Sequence, residues 1–209
     1  MTITTIVFDL GGVLTPPPFA GVAEYERSVG LPPGSITQYF RGDPVFASLE
    51  RGEITAREFW KSVGTRVQAE HGVRIELARL AAATESAGHL VPEAVELVRE
   101  LHGRYRLGLL TNNVAEAAIW REELPHELFD AVVDSSAVGL RKPDPAIYRI
   151  VLDRLGATAA ESVFIDDFEE NLPPARELGM AVVLFESVEQ CRAELAALTQ
   201  DGAVSRRGR

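Results

Sequence analysis

The sequence predicts an α/β domain: a parallel β-sheet flanked by helices, with a block of α-helices inserted after the first strand. Three observations carry this reading. Five short, continuously apolar runs recur along the 209 residues, the form taken by strands covered on both faces. Amphipathic helical patterns alternate with the later runs, as parallel strands joined by right-handed crossovers require. The stretch from Thr15 to about Ala87 breaks the alternation and contains no apolar strand run.

Taken in order, Ile3 to Phe8 is β-branched and apolar, and Gly11-Gly12 punctuate its end just after the polar Asp9. The inserted block follows. It should hold a helix from Phe19 to Val29 and a turn at Pro32-Pro33-Gly34. A capping box at Thr55-Ala-Arg-Glu58, with Ile54 and Phe59 as a hydrophobic staple, then starts another helix. A last helix of the block is expected over Glu76 to Thr84, and Pro16-Pro-Pro-Phe19 reads as a stiff hinge.

The alternation then resumes. Pro92 opens a helix to His102 with Val95, Val98 and Leu101 on one stripe. Leu107 to Thr111 is the second strand, and Thr111-Asn112-Asn113 should cap a helix from Val114 to Leu124. Ala131 to Asp134 is the third strand. Asp144-Pro145 caps a helix whose apolar Tyr148, Val151, Leu152 and Leu155 end at Gly156. Val163 to Asp166 and Ala181 to Phe185 are the last two strands. Val188, Cys191, Leu195 and Leu198 line a final helix, and residues 201–209 read as a frayed polar tail. The expected division is a core of residues 1–14 and 87–200 around a helical cap of residues 15–86.

Composition excludes several classes. Hydrophobic content of 46% and charged content of 25% are ordinary globular values, which argues against wholesale disorder. A formal net charge of −10 argues against a dedicated nucleic-acid binder, which needs a basic face. No apolar run approaches the roughly 20 residues of a membrane span, and the N-terminus lacks a signal-peptide pattern. One cysteine, Cys191, forms neither an internal disulfide nor a Cys-X-X-Cys zinc site. A cytoplasmic monomer or homodimer is the expectation. The 21 basic residues divide into 19 arginines and two lysines, Lys61 and Lys142, so each lysine is worth locating.

Ligands of an open parallel sheet bind beyond the carboxyl ends of its strands. The polar residues at those ends are Asp9, Thr111-Asn112-Asn113 and Asp166-Asp167, with Lys142 after the third strand. Together they supply a carboxylate, a hydroxyl with amides, a cation and a further pair of acids. A phosphate ester needs such a set. A carboxylate can attack phosphorus, magnesium held by carboxylates reconciles the nucleophile with the phosphate dianion, and a lysine with backbone N–H groups neutralises the equatorial oxygens.

These residues fall into four ordered motifs: Val7-Phe-Asp9-Leu-Gly-Gly-Val-Leu14, Leu110-Thr111-Asn112, Lys142-Pro-Asp-Pro and Phe164-Ile-Asp-Asp167-Phe-Glu-Glu-Asn171. In this the chain resembles the haloacid dehalogenase-like hydrolase superfamily. Within it, the likeness is to the phosphatase-like N-terminal domain of soluble epoxide hydrolase and related acyl-CoA-dehydrogenase-linked domains. Each motif alone is weak, but four in order on strand ends are specific. The 102 positions from Asp9 to Thr111 leave room for the family's helical cap. The resemblance implies a Rossmann-like core and hydrolysis of small phosphorylated metabolites with Mg2+. It implies Asp9 as nucleophile, Thr111 and the Asn112 backbone as phosphoryl binders, and Lys142 as the cation on both. It also implies magnesium at Asp9, the Gly11 carbonyl and Asp167, with Asp166 in the family's usual glycine position.

Two positions depart from the family pattern. Its phosphatases carry a second Asp two residues after the nucleophile, which protonates the leaving alcohol, and here Gly11 stands in that place. Glycine keeps the carbonyl and loses the acid, a contribution of about 10²–10⁴-fold. Turnover should therefore favour esters whose leaving group needs little protonation, such as acyl, aryl or anomeric sugar phosphates. Asn171 replaces an Asp, which removes one negative charge near the metal.

Plainer roles suit other residues. His71, His89, His102 and His126 lie in no catalytic spacing, and Phe59 and Trp60 read as cap core rather than a substrate platform. Phe19 is a lesser candidate for the pocket mouth, Arg141 reads as a surface or rim residue, and Cys191 as buried and inert. Two alternatives remain open at this point. One is a carbon–halogen hydrolase, against which the pair Asp166-Asp167 argues. The other is a phospho-ligand binding or regulatory protein that keeps the fold without turnover.

Overall fold

Strand residues in this chain are apolar on both sides because both sides of the sheet are covered. The computed structural model describes residues 2–17, 20–40, 42–85, 89–117 and 119–199. It contains a five-stranded sheet of β1 (Thr5–Phe8), β2 (Arg106–Thr111), β3 (Ala131–Asp134), β4 (Ser162–Asp166) and β5 (Ala181–Leu184). The spatial order is β3-β2-β1-β4-β5, and every pairing is parallel. This is the Rossmann-like α/β architecture expected from the alternating pattern.

Ten helices connect the strands among the described residues. They are α1 (Ala20–Ser28), α2 (Pro44–Glu50), α3 (Ala56–His71), α4 (Leu77–Glu85), α5 (Pro92–Leu101), α6 (Ile119–Glu123), α7 (Ser135–Val138), α8 (Pro145–Leu155), α9 (Leu172–Leu178) and α10 (Val188–Thr199). Ile6, Phe8, Leu107, Leu109, Val163 and Ile165 form one core with α5 and α10, which contribute Leu97, Val98, Cys191 and Leu195. Val7, Leu110, Val133 and Phe164 point the other way and join Ile147, Tyr148, Val151 and Leu155 of α8. Successive strand residues thus supply opposite cores, as the strand period of two demands. Gly108 permits the close approach of α8: a Cβ there would lie 2.8 Å from a methyl of Leu155.

Helices α1 to α4 lie between β1 and α5 in sequence and share a third core, built on Val22, Tyr25, Ile36, Phe59, Val63 and Leu80. The expected capping box at α3 is present. Thr55 Oγ1 accepts from the Glu58 N–H at 3.2 Å, and Glu58 accepts from the Thr55 N–H at 2.8 Å. Glu26, nearly fully buried, accepts the N–H groups of Gly34, Ile36 and Thr37 and so organises the expected Pro32–Gly34 turn. Helix α2 was not foreseen. Asp43 caps it by accepting from the Val45 N–H at 2.8 Å, and Pro44 takes the first helical position.

The end of α2 docks on the core. Ser135 Oγ donates to the Glu50 carbonyl at 2.5 Å. Gly52, at φ +69°, passes so close to α7 that a Cβ would meet the Ser136 carbonyl at 2.6 Å. The Ala56 N–H donates to Glu116 Oε1 at 2.9 Å.

One expected helix is shorter than its apolar pattern suggests. The chain after Thr111 does not enter a helix at Val114; α6 begins only at Ile119. The Arg121 guanidinium gathers the carbonyls of Val114, Ala115 and Ala117 together with the carboxylate of Asp134. Residues 114–117 form loop and turn. Thr111-Asn112-Asn113 consequently caps no helix there; the Asn113 side chain instead accepts from the Val114 N–H within a loop. Phe19 and the tail at 201–209 lie outside the described residues.

Candidate active site

The carboxyl ends of β1, β2 and β4 are neighbours in the sheet, so the residues after them meet. Asp9 continues the ladder by donating its N–H to the Ile165 carbonyl at 2.8 Å. That bond sets its side chain beside Asp166, the last residue of β4. Lys142 arrives from the turn between α7 and α8, following the αL cap at Gly139. Its side chain is 1% exposed, and Nζ lies 2.7 Å from Asp9 Oδ1 and 2.6 Å from Asp166 Oδ2. The sequence singled out Lys142, and the fold buries it between two carboxylates.

The electrostatics follow from that burial. Desolvation alone would pull Lys142 down, but Asp166 and Asp9 outweigh it and hold its pKa above the ordinary lysine value. Desolvation pushes the Asp9 carboxyl up to about 8, with Asp166 adding to the rise and Lys142 opposing it. One ammonium cannot balance two buried carboxylates and a third close by. The excess is relieved by a proton or by a cation.

The third acid is Asp167. Asp9, Asp166 and Asp167 each offer an oxygen within 4.8 Å of the others. Gly12 makes room for it: at φ +79°, a Cβ on this residue would fall 2.0 Å from Asp167 Oδ2. Hard oxygen donors packed this closely suit a magnesium-type divalent cation. Asp166 is the most committed of the three. It accepts from Lys142 Nζ, from the Phe168 N–H at 2.8 Å, and from Asn171 Nδ2 at 3.0 Å to each of its oxygens. Asn171 is thus a donor to Asp166, a task that an ionised Asp could not perform. Its own backbone carbonyl accepts from the Tyr148 hydroxyl at 2.6 Å.

The remaining expected residues are placed as follows. Asn112 brackets the Lys142 backbone: its Oδ1 accepts from the Lys142 N–H at 2.8 Å, and its Nδ2 donates to the Lys142 carbonyl at 3.0 Å. The Lys142-Pro143 peptide is cis. Thr111 is buried at the end of β2 with its hydroxyl 3.4 Å from the Asn112 carbonyl, and Asn112 and Asn113, rather than Thr111, line the cavity. Gly11 lines the same cavity. Thr15, also at the wall, directs its hydroxyl to the carbonyls of Leu10 and Pro16.

Several features were not legible as site residues. Arg141, read as a surface or rim residue, lines the cavity, and what the sequence did not show is its partner: its Nε lies 2.5 Å from Glu50 Oε2 of α2. Glu50 itself carried no motif. Its carboxyl is raised by burial, against the pull of Arg141 and Lys142. Phe59 and Trp60 do belong to the core of the helical block, and they line the cavity as well. None of the four histidines lines it.

A parallel sheet with an acid after its first strand, a buried lysine and a further acid pair defines the class. The chain belongs to the haloacid dehalogenase-like hydrolases, whose family model matches residues 3–179. It is 30% identical over 221 residues to bifunctional epoxide hydrolase 2 of Rattus norvegicus, covering 95% of this chain and 39% of that protein. The chain therefore spans about two fifths of such relatives. It is 29% identical over 200 residues to phosphatase MT3486 of Mycobacterium tuberculosis, covering 92% of this chain and 91% of that one. Its structure resembles that of an enzyme of the same family from Bacteroides thetaiotaomicron in complex with magnesium and inorganic phosphate. There the TM-score is 0.68 at 27% identity, covering 88% of this chain and 94% of that one. Among the described residues no helix is long and apolar enough to cross a membrane.

Proposed function

We propose that this hydrolase is a magnesium-dependent phosphatase of small phosphorylated metabolites, working in the cytoplasm through an aspartyl-phosphate at Asp9. The observation that carries the reading is the double contact of Lys142 Nζ with Asp9 and Asp166, beside Asp167. A phosphatase among the relatives, and magnesium with phosphate in a structural relative, support it.

In this reading Asp9 attacks phosphorus, the bond from phosphorus to the ester oxygen breaks, and the departing oxygen takes its proton from solvent, Gly11 offering none. Water then attacks phosphorus, releasing phosphate and restoring the carboxylate. Lys142 holds Asp9 in one rotamer and neutralises charge on the phosphoryl oxygens, while Thr111 and the Asn112 backbone hold the group being transferred. Asp9, Asp167 and the Gly11 carbonyl would hold magnesium, Asp166 being occupied by Lys142 and Asn171. Bound magnesium supplies charge neutralisation between a carboxylate nucleophile and a phosphate dianion. Residues 15–86 serve as a cap that excludes water over a core of residues 1–14 and 87–200.

The test is phosphate release from p-nitrophenyl phosphate with magnesium and with a chelator. The expected result is metal-dependent turnover that Asp9→Asn abolishes. Halide release from haloacids without metal would replace this reading with carbon–halogen hydrolysis.

A further inference from the structure

Glu50 is the last residue of α2, and there the helical block touches two loops of the site at once. Its main chain faces the loop after β2. The Glu50 carbonyl accepts from Ser135 Oγ at 2.5 Å, and that oxygen accepts in turn from the Asn113 N–H at 3.0 Å. Its side chain faces the turn after α7, where Oε2 accepts from Arg141 Nε at 2.5 Å. Asn113 follows Asn112, which holds the Lys142 main chain at both its N–H and its carbonyl. Arg141 precedes Lys142, and the Asp144 N–H closes their turn by donating to the Arg141 carbonyl at 2.9 Å. The contacts form a ring that runs from Glu50 through Ser135, Asn113 and Asn112 to Lys142, and back through Arg141. Within it, Glu50 alone comes from the helical block.

Glu50 is 6% exposed. A carboxylate this deep is costly unless a cation meets it, and Arg141 supplies that cation. Among the described residues this is the one ion pair that joins the helical block to the core. Leu49, one residue back, is buried in the core of the block, so the Glu50 backbone moves with the block. Lifting the block would break both arms of the ring together. It would leave Arg141 without its carboxylate and the Lys142 turn held on one side only.

We propose that Glu50 is a positioning residue for the site: acting through Arg141, it holds the Lys142 turn so that the ammonium is set between Asp9 and Asp166 when the helical block is docked. This rests on the phosphatase reading above and adds to it a coupling between the block and the lysine. Lys142 Nζ lies within hydrogen-bond distance of both acids, and a misplacement of about 1 Å in such a group costs up to about 10²-fold in rate.

Two measurements test it. Lysine labelled with 15N at Nζ gives two NMR signals, because the chain holds Lys61 and Lys142 alone. Lys61 is exposed and serves as the reference. The Lys142 Nζ protons, buried between carboxylates, should exchange slowly with water in the unaltered protein and lose that protection in Glu50→Ala. Glu50→Gln keeps the shape and an acceptor without the charge; it should lose part of the protection, and it decides the matter where Glu50→Ala does not fold. Unchanged exchange at Lys142 in the folded variants overturns the proposal, and this readout needs no turnover. The second measurement is hydrolysis of p-nitrophenyl phosphate with magnesium. Glu50→Ala should lower kcat by roughly 10- to 100-fold with KM nearly unchanged, and Glu50→Gln by less. A raised KM at full kcat would make Glu50 a binding contact and overturn the positioning role. Arg141→Gln, alone and combined with Glu50→Gln, closes a double-mutant cycle. The double variant should lose no more than the worse single one, whereas losses that multiply would overturn action through Arg141. No release by the unaltered protein would overturn the phosphatase reading instead, and the lysine exchange would still decide the coupling.

Discussion

Asn112 grips Lys142 by its main chain, accepting from its N–H at 2.8 Å and donating to its carbonyl at 3.0 Å. The second motif thus positions the third, and the ammonium that touches Asp9 is aimed by a side chain from another strand end. Asn112→Ala removes both bonds. It should cost about 2 kcal/mol, at roughly 1 kcal/mol for each hydrogen bond, measured by urea denaturation. It should also lower kcat through a misplaced Lys142. Asn112→Asp keeps the acceptor alone and should fall between the two.

Lys142→Arg should not be conservative. The pocket accommodates a compact ammonium between carboxylates at 2.7 Å and 2.6 Å, and a planar guanidinium has a different shape and reach. The expected loss in kcat/KM is on the order of 10²–10³, the scale of one oriented charge-stabilising donor. Full activity in this variant would remove the lysine from the mechanism.

Gly12→Ala tests the metal reading apart from the nucleophile. The new methyl would sit 2.0 Å from Asp167 Oδ2, on a backbone at φ +79°. Asp167 must swing away. Magnesium-induced thermal stabilisation should disappear even where the variant remains folded, as judged by circular dichroism.

The pH dependence has a definite sign. Burial raises Asp9 from 3.8 to about 8, so without a cation the folded state prefers this carboxyl protonated. Its contribution to stability is full below the ordinary carboxylate value and is lost as pH rises through about 8. With chelator, Tm should therefore fall across that window; with magnesium, the fall should shrink. Magnesium affinity should tighten with pH up to about 8 and level off above it, which calorimetry would show.

Much of this architecture is legible in the sequence because apolar continuity and helix caps are local signals. Ile3 to Phe8, Asp144-Pro145 and the Thr55–Glu58 box each declare their element within a few residues. The rarity of lysine drew attention to Lys142. What escaped depends on distant partners. Where a helix was expected from Val114 there is loop and turn, and the Arg121 guanidinium there joins the Val114 and Ala115 carbonyls to Asp134. Glu50 and Arg141 are 91 positions apart and meet only because α2 docks on the core. The apolar spacing of Phe59 and Trp60 says that they are buried, and it cannot say that a cavity lies against them.

Gly11 offers a gain-of-function check. Gly11→Asp places a proton donor where the family's phosphatases carry one, and it should raise the hydrolysis of alkyl phosphates by up to about 10²–10⁴-fold. Aryl phosphates, whose leaving groups need less help, should gain far less. Equal gains on both would show that the missing acid does not limit the reaction.

The central claim is that Asp9 carries the phosphoryl group. The direct measurement is to quench the magnesium-loaded enzyme in acid during turnover of p-nitrophenyl phosphate, reduce it with borohydride and sequence its peptides by mass spectrometry. An aspartyl-phosphate is reduced to homoserine, so homoserine at position 9 is the predicted result. Phosphate release with position 9 still aspartate, and homoserine at another acid, would contradict it.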